Sequence, residues 1–356
     1  MPSLAVAEAS NAAFCPSYIP VAVVVGGTSG VGQAMAEALA RQTNGRAHII
    51  IVGRNATAAA EILATFPKPT DSDADGWAHE FVQCDALSMA SVRAVCASLL
   101  SRLKRINFLV ITAGGPAGNS LLDCYETPEG LNAHLAMRYF MRYLFTKELL
   151  PLLVSAKEMG QHAHVMTVLG AGFGLALRTT DLGLHEAHRN SIKFLQGVFP
   201  NIAAIKGIAT GVCYNDGLVA HFAAQHPDLA FTHISPGQVL TAGGSEVYLG
   251  WLLTPLTWLL NIFKRAISLT QNERAKYMLY ALFDADRGLF IRGDHGDIVS
   301  AHVFSRDHKP QFDVSSPTAH KKGFLNGVPM KGYGGSDASV AGLIAYTEQV
   351  LAAILR

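Results

Sequence analysis

Charge is scarce in this 356-residue chain: 15% of its residues are Asp, Glu, Lys or Arg, and the formal net charge is +1. No long run of one sign occurs, so nothing recommends a nucleic-acid or anionic-membrane partner. Cysteine is also sparse. The five residues, Cys15, Cys84, Cys96, Cys124 and Cys213, are odd in number, scattered, and form no CxxC pair. That excludes a disulfide framework or a zinc knuckle and predicts a reducing compartment. The opening "MPSLAVAEASNAAFCPSYIP" has neither a basic n-region nor a long apolar run, so it is a poor signal peptide, and a cytoplasmic location is expected. A membrane-spanning run is missing too. The strongest candidate, "WLLTPLTWLLNIFKR" from Trp251 to Arg265, is interrupted by Pro255 and is too short for a hydrocarbon core of ~30 Å. It reads as a helix covering a pocket or packing on a neighbouring subunit, with weak peripheral membrane contact as the lesser alternative.

What is abundant is apolar sequence. Half the residues are hydrophobic, enough for a sizeable core. Short apolar runs alternate with helical patterns: Val21–Val25, His48–Gly53, Glu80–Cys84, Asn107–Gly114, His164–Gly170 and Leu229–Ser235 read as strands. Helices are expected from about Val31 to Arg41, over "NATAAAEILATF", from Ser88 to Leu103 and within Pro128–Leu153. Continuously apolar strands separated by helices predict a parallel sheet covered on both faces, an α/β doubly wound fold of Rossmann type. The expected organisation is an N-terminal segment over residues 1–20, a dinucleotide-binding domain over 21–245, and a C-terminal helical and loop extension of the same domain over 246–356. Within that extension, Thr270 and Glu273 have capping-box spacing, a loop-rich stretch runs from Arg287 to Asp337, and an amphipathic helix follows from about Val340 to Leu355.

The most specific signal is "VGGTSGVG" after the first strand. Gly26, Gly30 and Gly32 permit a tight turn, close backbone approach to a pyrophosphate, and packing of helix on strand. The helix then presents free N–H groups to phosphate. Glycine clusters alone are weak evidence, but this one lies between a strand and a helix of a βαβ pattern.

At these residues the chain resembles the short-chain dehydrogenase/reductase family, whose TGxxxGxG motif appears as Val25-Gly26-Gly27-Thr28-Ser29-Gly30-Val31-Gly32, with valine in place of threonine. It is more closely similar to fungal members sharing "GGTSGxG", "VGRN" and "TPEGL", over roughly Val21 to Thr241. The resemblance implies an NAD(P)(H) site built from Gly26, Thr28, Ser29, Gly30, Val31 and Gly32. It adds Arg54 and Asn55 of "VGRN", Asp85 beside adenine, and Ala113 and Gly114 after the fourth strand. Pro236, Gly237, Val239 and Thr241 of "PGQVLT" would hold the nicotinamide amide. Arg54, with no acidic residue at that point, favours NADPH through its 2′-phosphate, the alternative being a solvated arginine.

The family's catalytic serine, tyrosine and lysine are missing, as is its asparagine. Gly170 takes the serine position, no tyrosine lies between Leu169 and Cys213, and no lysine between Gly207 and Phe263. Counting back from Pro236 puts Lys206 near the tyrosine position and Thr210 near the lysine position, while the asparagine position falls on Arg138. Arg138 and Lys206 are therefore the candidate catalytic groups. A buried Arg138 needs an anionic or carbonyl partner; the bland alternative is a salt bridge to a local carboxylate. A literal YxxxK, Tyr143 to Lys147, falls on the helix before the fifth strand and reads as structural. "GDHGD" (Gly293–Asp297) reads more simply as a turn, "HEAHR" (His185, His188) reads either as an acid/base near the pocket mouth or as a solvent-facing helix, and no metal is expected.

Three functions follow as expectations. The first is an NADPH-dependent oxidoreductase with a rebuilt site acting on a bulky apolar small molecule, of the kind found in fungal secondary metabolism, with a homodimer compatible. The second is a dehydratase, isomerase or cyclase with the coenzyme structural or lost. The third is a catalytically silent binding protein.

Overall fold

The computed structural model describes residues 2–68, 78–115, 125–171, 180–185, 202–237, 270–284, 286–304, 310–311 and 338–356. Strands β1 (Val21–Val25), β2 (His48–Gly53), β3 (Glu80–Gln83), β4 (Phe108–Ile111), β5 (His164–Val168), β6 (Ala230–Ile234) and β7 (Gly288–Arg292) run parallel in the order β3-β2-β1-β4-β5-β6-β7. Every residue of β1, β4, β5, β6 and β7 is buried, as expected for strands covered on both faces. Two antiparallel strands, β8 (Ile298–Phe304) and β9 (Pro310–Gln311), extend the β7 edge.

Alternate residues of each strand feed two cores. Ala22, Val24, Ile49 and Ile51 face α2 (Gly30–Gln42), α3 (Ala56–Ala64) and, past the sixth strand, the helix Gln271–Phe283. Val23, Val25, Ile50 and Leu109 face α4 (Met89–Arg102), α6 (Met141–Glu158), α7 (Ile202–Gln225) and the C-terminal helix Ala338–Ile354. A short helix α5 (Ala133–Leu135) and a π-helical turn (Ala136–Phe140) lead into α6. The last two helices are numbered α8 (Gln271–Phe283) and α9 (Ala338–Ile354). The first, α1 (Leu4–Ala12), packs on α8: Phe14 stacks on Phe283 with ring centroids 3.9 Å apart, and Asn11 donates to the Lys276 carbonyl at 2.8 Å.

The Rossmann-type sheet matches expectation, and the capping box closes α8 as its spacing predicts. One stretch needs correcting. The part of 287–337 taken as loop-rich contributes β7, a buried parallel strand beside β6, and β8. Its three apolar residues, Leu289 to Ile291, are followed by Arg292, which makes the run look like an exposed turn. Arg292 is instead buried, bonded to the Gly296 carbonyl and paired with Asp284 at 2.8 Å. The "WLLTPLTWLLNIFKR" segment lies outside the described residues. Among those described, no helix is long and apolar enough to cross a membrane.

The Tyr143–Lys147 motif has a structural task. Lys147 Nζ meets Glu348 at 2.6 Å, Tyr143 donates to the same carboxylate, and Tyr139 bonds Thr347 at 2.7 Å. Burial, then the Glu348 carboxylate, push the Tyr143 hydroxyl pKa far upward, so it stays protonated. The motif docks the chain's own C-terminal helix.

His164 of β5 is buried between Leu282 and Thr232. Its Nδ1 bonds the Leu282 carbonyl and its Nε2 the Thr232 hydroxyl, both at 2.8 Å. Burial lowers its pKa to about 3. Between that value and the unfolded ~6.5, only the unfolded chain takes up the proton, so stability falls with acidification by up to ~1.4 kcal/mol per pH unit from this group. Denaturant unfolding of His164→Gln between roughly pH 6 and 4 should show a shallower pH slope by that amount. An unchanged slope would remove His164 as a source of acid sensitivity.

Candidate functional site

The order β3-β2-β1-β4 reverses direction between β1 and β4, so the carboxyl ends of these two strands open a crevice. Its walls touch. The Thr112 hydroxyl, just after β4, donates to the Val25 carbonyl at 3.0 Å and approaches the Gly26 carbonyl at 3.3 Å. A Cβ on Gly26, whose φ is +88°, would lie 2.6 Å from the Ala113 amide nitrogen. One on Gly32 would run into the Thr112 hydroxyl and the Gly26 carbonyl. Only glycine fits at either position. Ser29 caps α2 without a side-chain hydrogen bond, and among the described residues the first-turn amides of Gly30, Val31 and Gly32 take no side-chain acceptor. The residues present therefore fit a dinucleotide pyrophosphate: a side-chain-free cradle against a helix N-terminus.

The other predicted coenzyme residues border this crevice unequally. The Thr28 side chain packs on Gly53, where a Cβ would meet it at 2.8 Å. Arg54 is exposed at the end of β2. Asn55 spends its side-chain oxygen capping α3, accepting from Ala58 at 3.1 Å. Asp85 is exposed after β3 and accepts the Leu87 amide through one carboxylate oxygen. Ala113 and Gly114 are half-buried at the end of β4, and Pro236 and Gly237 follow β6. Gly237, with φ +62°, sits so close to Asp294 and Arg274 that a Cβ would lie 2.5 and 2.8 Å from them. Val239 and Thr241 lie outside the described residues, as does His188.

Behind the crevice, between β4, β5, α6 and α7, lies a buried polar layer that sequence reasoning only half found. Arg142 is fully buried. Its guanidinium donates to the carbonyls of Ile111 (3.0 Å), Ala113 (2.7 Å) and Val168 (3.0 Å) and to the Thr167 hydroxyl. Thr167 in turn donates to Asn215 of α7 at 2.7 Å. Asn215 donates to the Arg138 carbonyl at 2.5 Å, inside the π-helical turn that interrupts the normal carbonyl ladder. Arg138, one turn before Arg142 and 1% exposed, bonds His134 Nδ1 at 2.8 Å and the Gly115 carbonyl at 3.1 Å. Gly207 and Gly211 let α7 approach this far: a Cβ on Gly211 would lie 2.8 Å from Arg138 Cβ, and one on Gly207 2.9 Å from His134 Cβ.

Of the two readings for Arg138, the carbonyl partner is the one present: it bonds a carbonyl and an imidazole, and among the described residues no carboxylate pairs with Arg138 or Arg142. Burial lowers the Arg138 pKa to about 10. Burial, then the charge of Arg138, lowers that of Arg142 to about 9. Lys206 is separate. It is exposed in the first turn of α7 and makes no hydrogen bond or ion pair among the described residues. Beside Thr167 in the β5–β6 register, His233 of β6 is fully buried with Nδ1 2.6 Å from Asp216, a pair the sequence did not suggest. Asp294, His295 and Asp297 bring three ligand-type atoms within 4.8 Å of one another, but Arg274 already pairs with Asp294 at 3.2 Å.

The short chain dehydrogenase family profile matches residues 20–175. Oxidoreductase AN1596 of Emericella nidulans is 30% identical over 301 residues, 82% of this chain and 81% of its own. The chain belongs to the short-chain dehydrogenase/reductase family. Polyprenol dehydrogenase of Homo sapiens is 27% identical over 249 residues, 67% of this chain and 69% of its own. In fold, the chain is similar to the MalC reductase/Diels-Alderase of Malbranchea aurantiaca, with a TM-score of 0.50 at 18% identity, covering 78% of this chain and 93% of the other.

Within that family, this member has glycine at positions 26 and 32, where a Cβ would clash with its neighbours. Gly170 follows β5, and α7 carries Lys206 and Thr210 in its N-terminal half. Replacing Gly32 by alanine should weaken coenzyme binding at least tenfold, about 1.4 kcal/mol, in a fluorescence titration. Alanine is otherwise favoured in a helix by up to ~1 kcal/mol, so an unchanged affinity would show that the crevice is not the coenzyme cradle.

Proposed function

We propose that the protein is an NADPH-dependent oxidoreductase acting on a bulky apolar small molecule, of the kind handled in fungal secondary metabolism. The observation that carries this reading is the glycine cradle at the β1–β4 crevice, where Gly26 and Gly32 admit no side chain against Thr112. Gly26 to Gly32 would hold the pyrophosphate on the α2 amides. Asp85, Ala113 and Gly114 would border the adenosine, with Asn55 beside the adenine-side ribose. The loop from Pro236 through Val239 and Thr241 would hold the nicotinamide end. A bound nicotinamide coenzyme supplies hydride to an electrophilic carbon. Arg54, exposed after β2 and free of an acidic neighbour in the "VGRN" turn, is suited to a ribose 2′-phosphate.

The chain's own contribution to the chemistry is electrostatic. With no tyrosine to protonate an oxyanion, the Arg138 guanidinium at the edge of the crevice stabilises developing negative charge, and exposed Lys206 contributes at the mouth. Such a site suits an activated enone, whose conjugated oxygen takes up the negative charge as hydride adds. An apolar substrate accords with the Trp251–Phe263 run and with the activity in the name of the human relative, polyprenol dehydrogenase. A cytoplasmic, homodimeric protein is compatible with this reading.

The missing serine, tyrosine and lysine favour one second reading: a dehydratase, isomerase or cyclase in which coenzyme is structural and rate comes from holding a reactive intermediate. Titration and isotope transfer separate the two. NADPH should bind at least tenfold more tightly than NADH, and Arg54→Ala should erase most of that preference, since a charge-assisted hydrogen bond contributes about 1.5–3 kcal/mol. Equal affinities overturn the NADPH assignment. Deuterium from stereospecifically labelled NADPH should appear in product; turnover that survives removal of coenzyme assigns the non-redox chemistry instead.

A further inference from the structure

Two guanidinium groups lie one helical turn apart, Arg138 at 1% exposure and Arg142 at 0%, and neither faces a carboxylate among the described residues. Moving an ion out of water costs several kcal/mol, recovered only through opposite charge or a full set of hydrogen bonds. Arg142 recovers it in the second way. Four oxygens surround its two terminal nitrogens, and only Nε is left without a partner. Its task is to tie the ends of β4 and β5 together.

Arg138 does not recover it. A guanidinium carries five N–H donors, and among the described residues Arg138 spends them on one imidazole nitrogen and one carbonyl. That carbonyl belongs to Gly115, an exposed residue just past Ala113 and Gly114 on the crevice rim. The imidazole accepts through Nδ1, so His134 is neutral there and lends no negative charge. The π-helical turn spanning Ala136–Phe140, whose Arg138 carbonyl is taken by Asn215, fixes the backbone from which the guanidinium reaches Gly115. Arg142 adds a second positive charge from behind. A planar cation with unspent donors, backed by another cation and placed at a crevice edge, is built to accept a planar anion.

We infer that the substrate carries a delocalised oxyanion, a carboxylate or an enolate, on its apolar body, and that Arg138 binds it. This deepens the oxidoreductase reading by naming the charge of its substrate, and it holds for the non-redox alternative as well. The anion is bound from the ground state onward, so it sets recognition and orientation, and the apolar body fills the remaining space.

The test compares benzoate with benzamide, which share shape and differ in charge, by calorimetry at constant ionic strength with and without saturating NADPH. Benzoate should bind the wild-type protein at least tenfold more tightly than benzamide in the presence of NADPH. Arg138→Gln should abolish the difference, and Arg138→Lys should restore part of it. Equal affinities on the wild-type protein overturn the proposal whatever the variants do, as does a preference for benzoate that survives Arg138→Gln. A preference seen only without coenzyme and lost when NADPH is added also overturns it, because the guanidinium then serves the coenzyme phosphates. If benzoate is preferred while neither NADPH nor NADH binds, the anion site stands and the oxidoreductase reading fails.

Discussion

The contact of Thr112 with the turn after β1 constrains everything built around the crevice. One hydroxyl bridges two carbonyls from the neighbouring strand end, at 3.0 and 3.3 Å, and it does so only because Gly26 and Gly32 bring no Cβ into the same space. The bridge fixes how closely α2 sits over β4, and therefore where the helix amides lie. The same carboxyl edge is tied again one strand further on. Arg142 gathers the carbonyls of Ile111, Ala113 and Val168, so β4 and β5 end at a fixed separation. The first tie uses the absence of side chains and the second uses a long charged one. Together they tie the crevice floor through hydrogen bonds and close packing, and the described cysteines are free.

The glycine turn after β1 was legible because its requirements are steric. A turn that needs positive φ and close approach can be met by glycine alone, so "GGTSGVG" records the geometry directly in residue type. The alternating strands were legible for a similar reason: burial on both faces demands continuous apolar runs. The seventh strand escaped because it is short and ends on Arg292, and a charged residue at a strand end usually marks exposure. Here a carboxylate and a carbonyl compensate the charge inside the fold, and no local pattern reports a partner eight residues away at Asp284.

Arg142 shows the same limit with a missed opportunity. Arg138 and Arg142 are four apart in "LAMRYFMRYLF", where nearly every other residue is apolar. An i, i+4 pair of cations on an otherwise apolar helix is repulsive unless the protein has a use for both. That spacing was the available signal, and only its first member was taken up. The His233–Asp216 pair had no comparable signal, since a lone histidine in a strand and an aspartate in a helix become partners only when β6 and α7 pack.

Under the proposed function, charge in the buried layer takes over work that a serine, tyrosine and lysine would otherwise do. Those groups manage a proton, whereas a guanidinium manages charge without giving one up: even at a pKa lowered to about 10, Arg138 stays cationic at neutral pH. A site of this kind cannot drive a reaction that ends with an unprotonated alkoxide, but it can hold an anion that is already there, or spread negative charge over a conjugated oxygen. The substrate must then bring either a pre-existing charge or an electrophile that needs no acid. Under the proposed function, the glycine cradle and the buried guanidinium thus accord with one chemical division of labour, in which the protein orients and neutralises while proton movement is left to the substrate or to water.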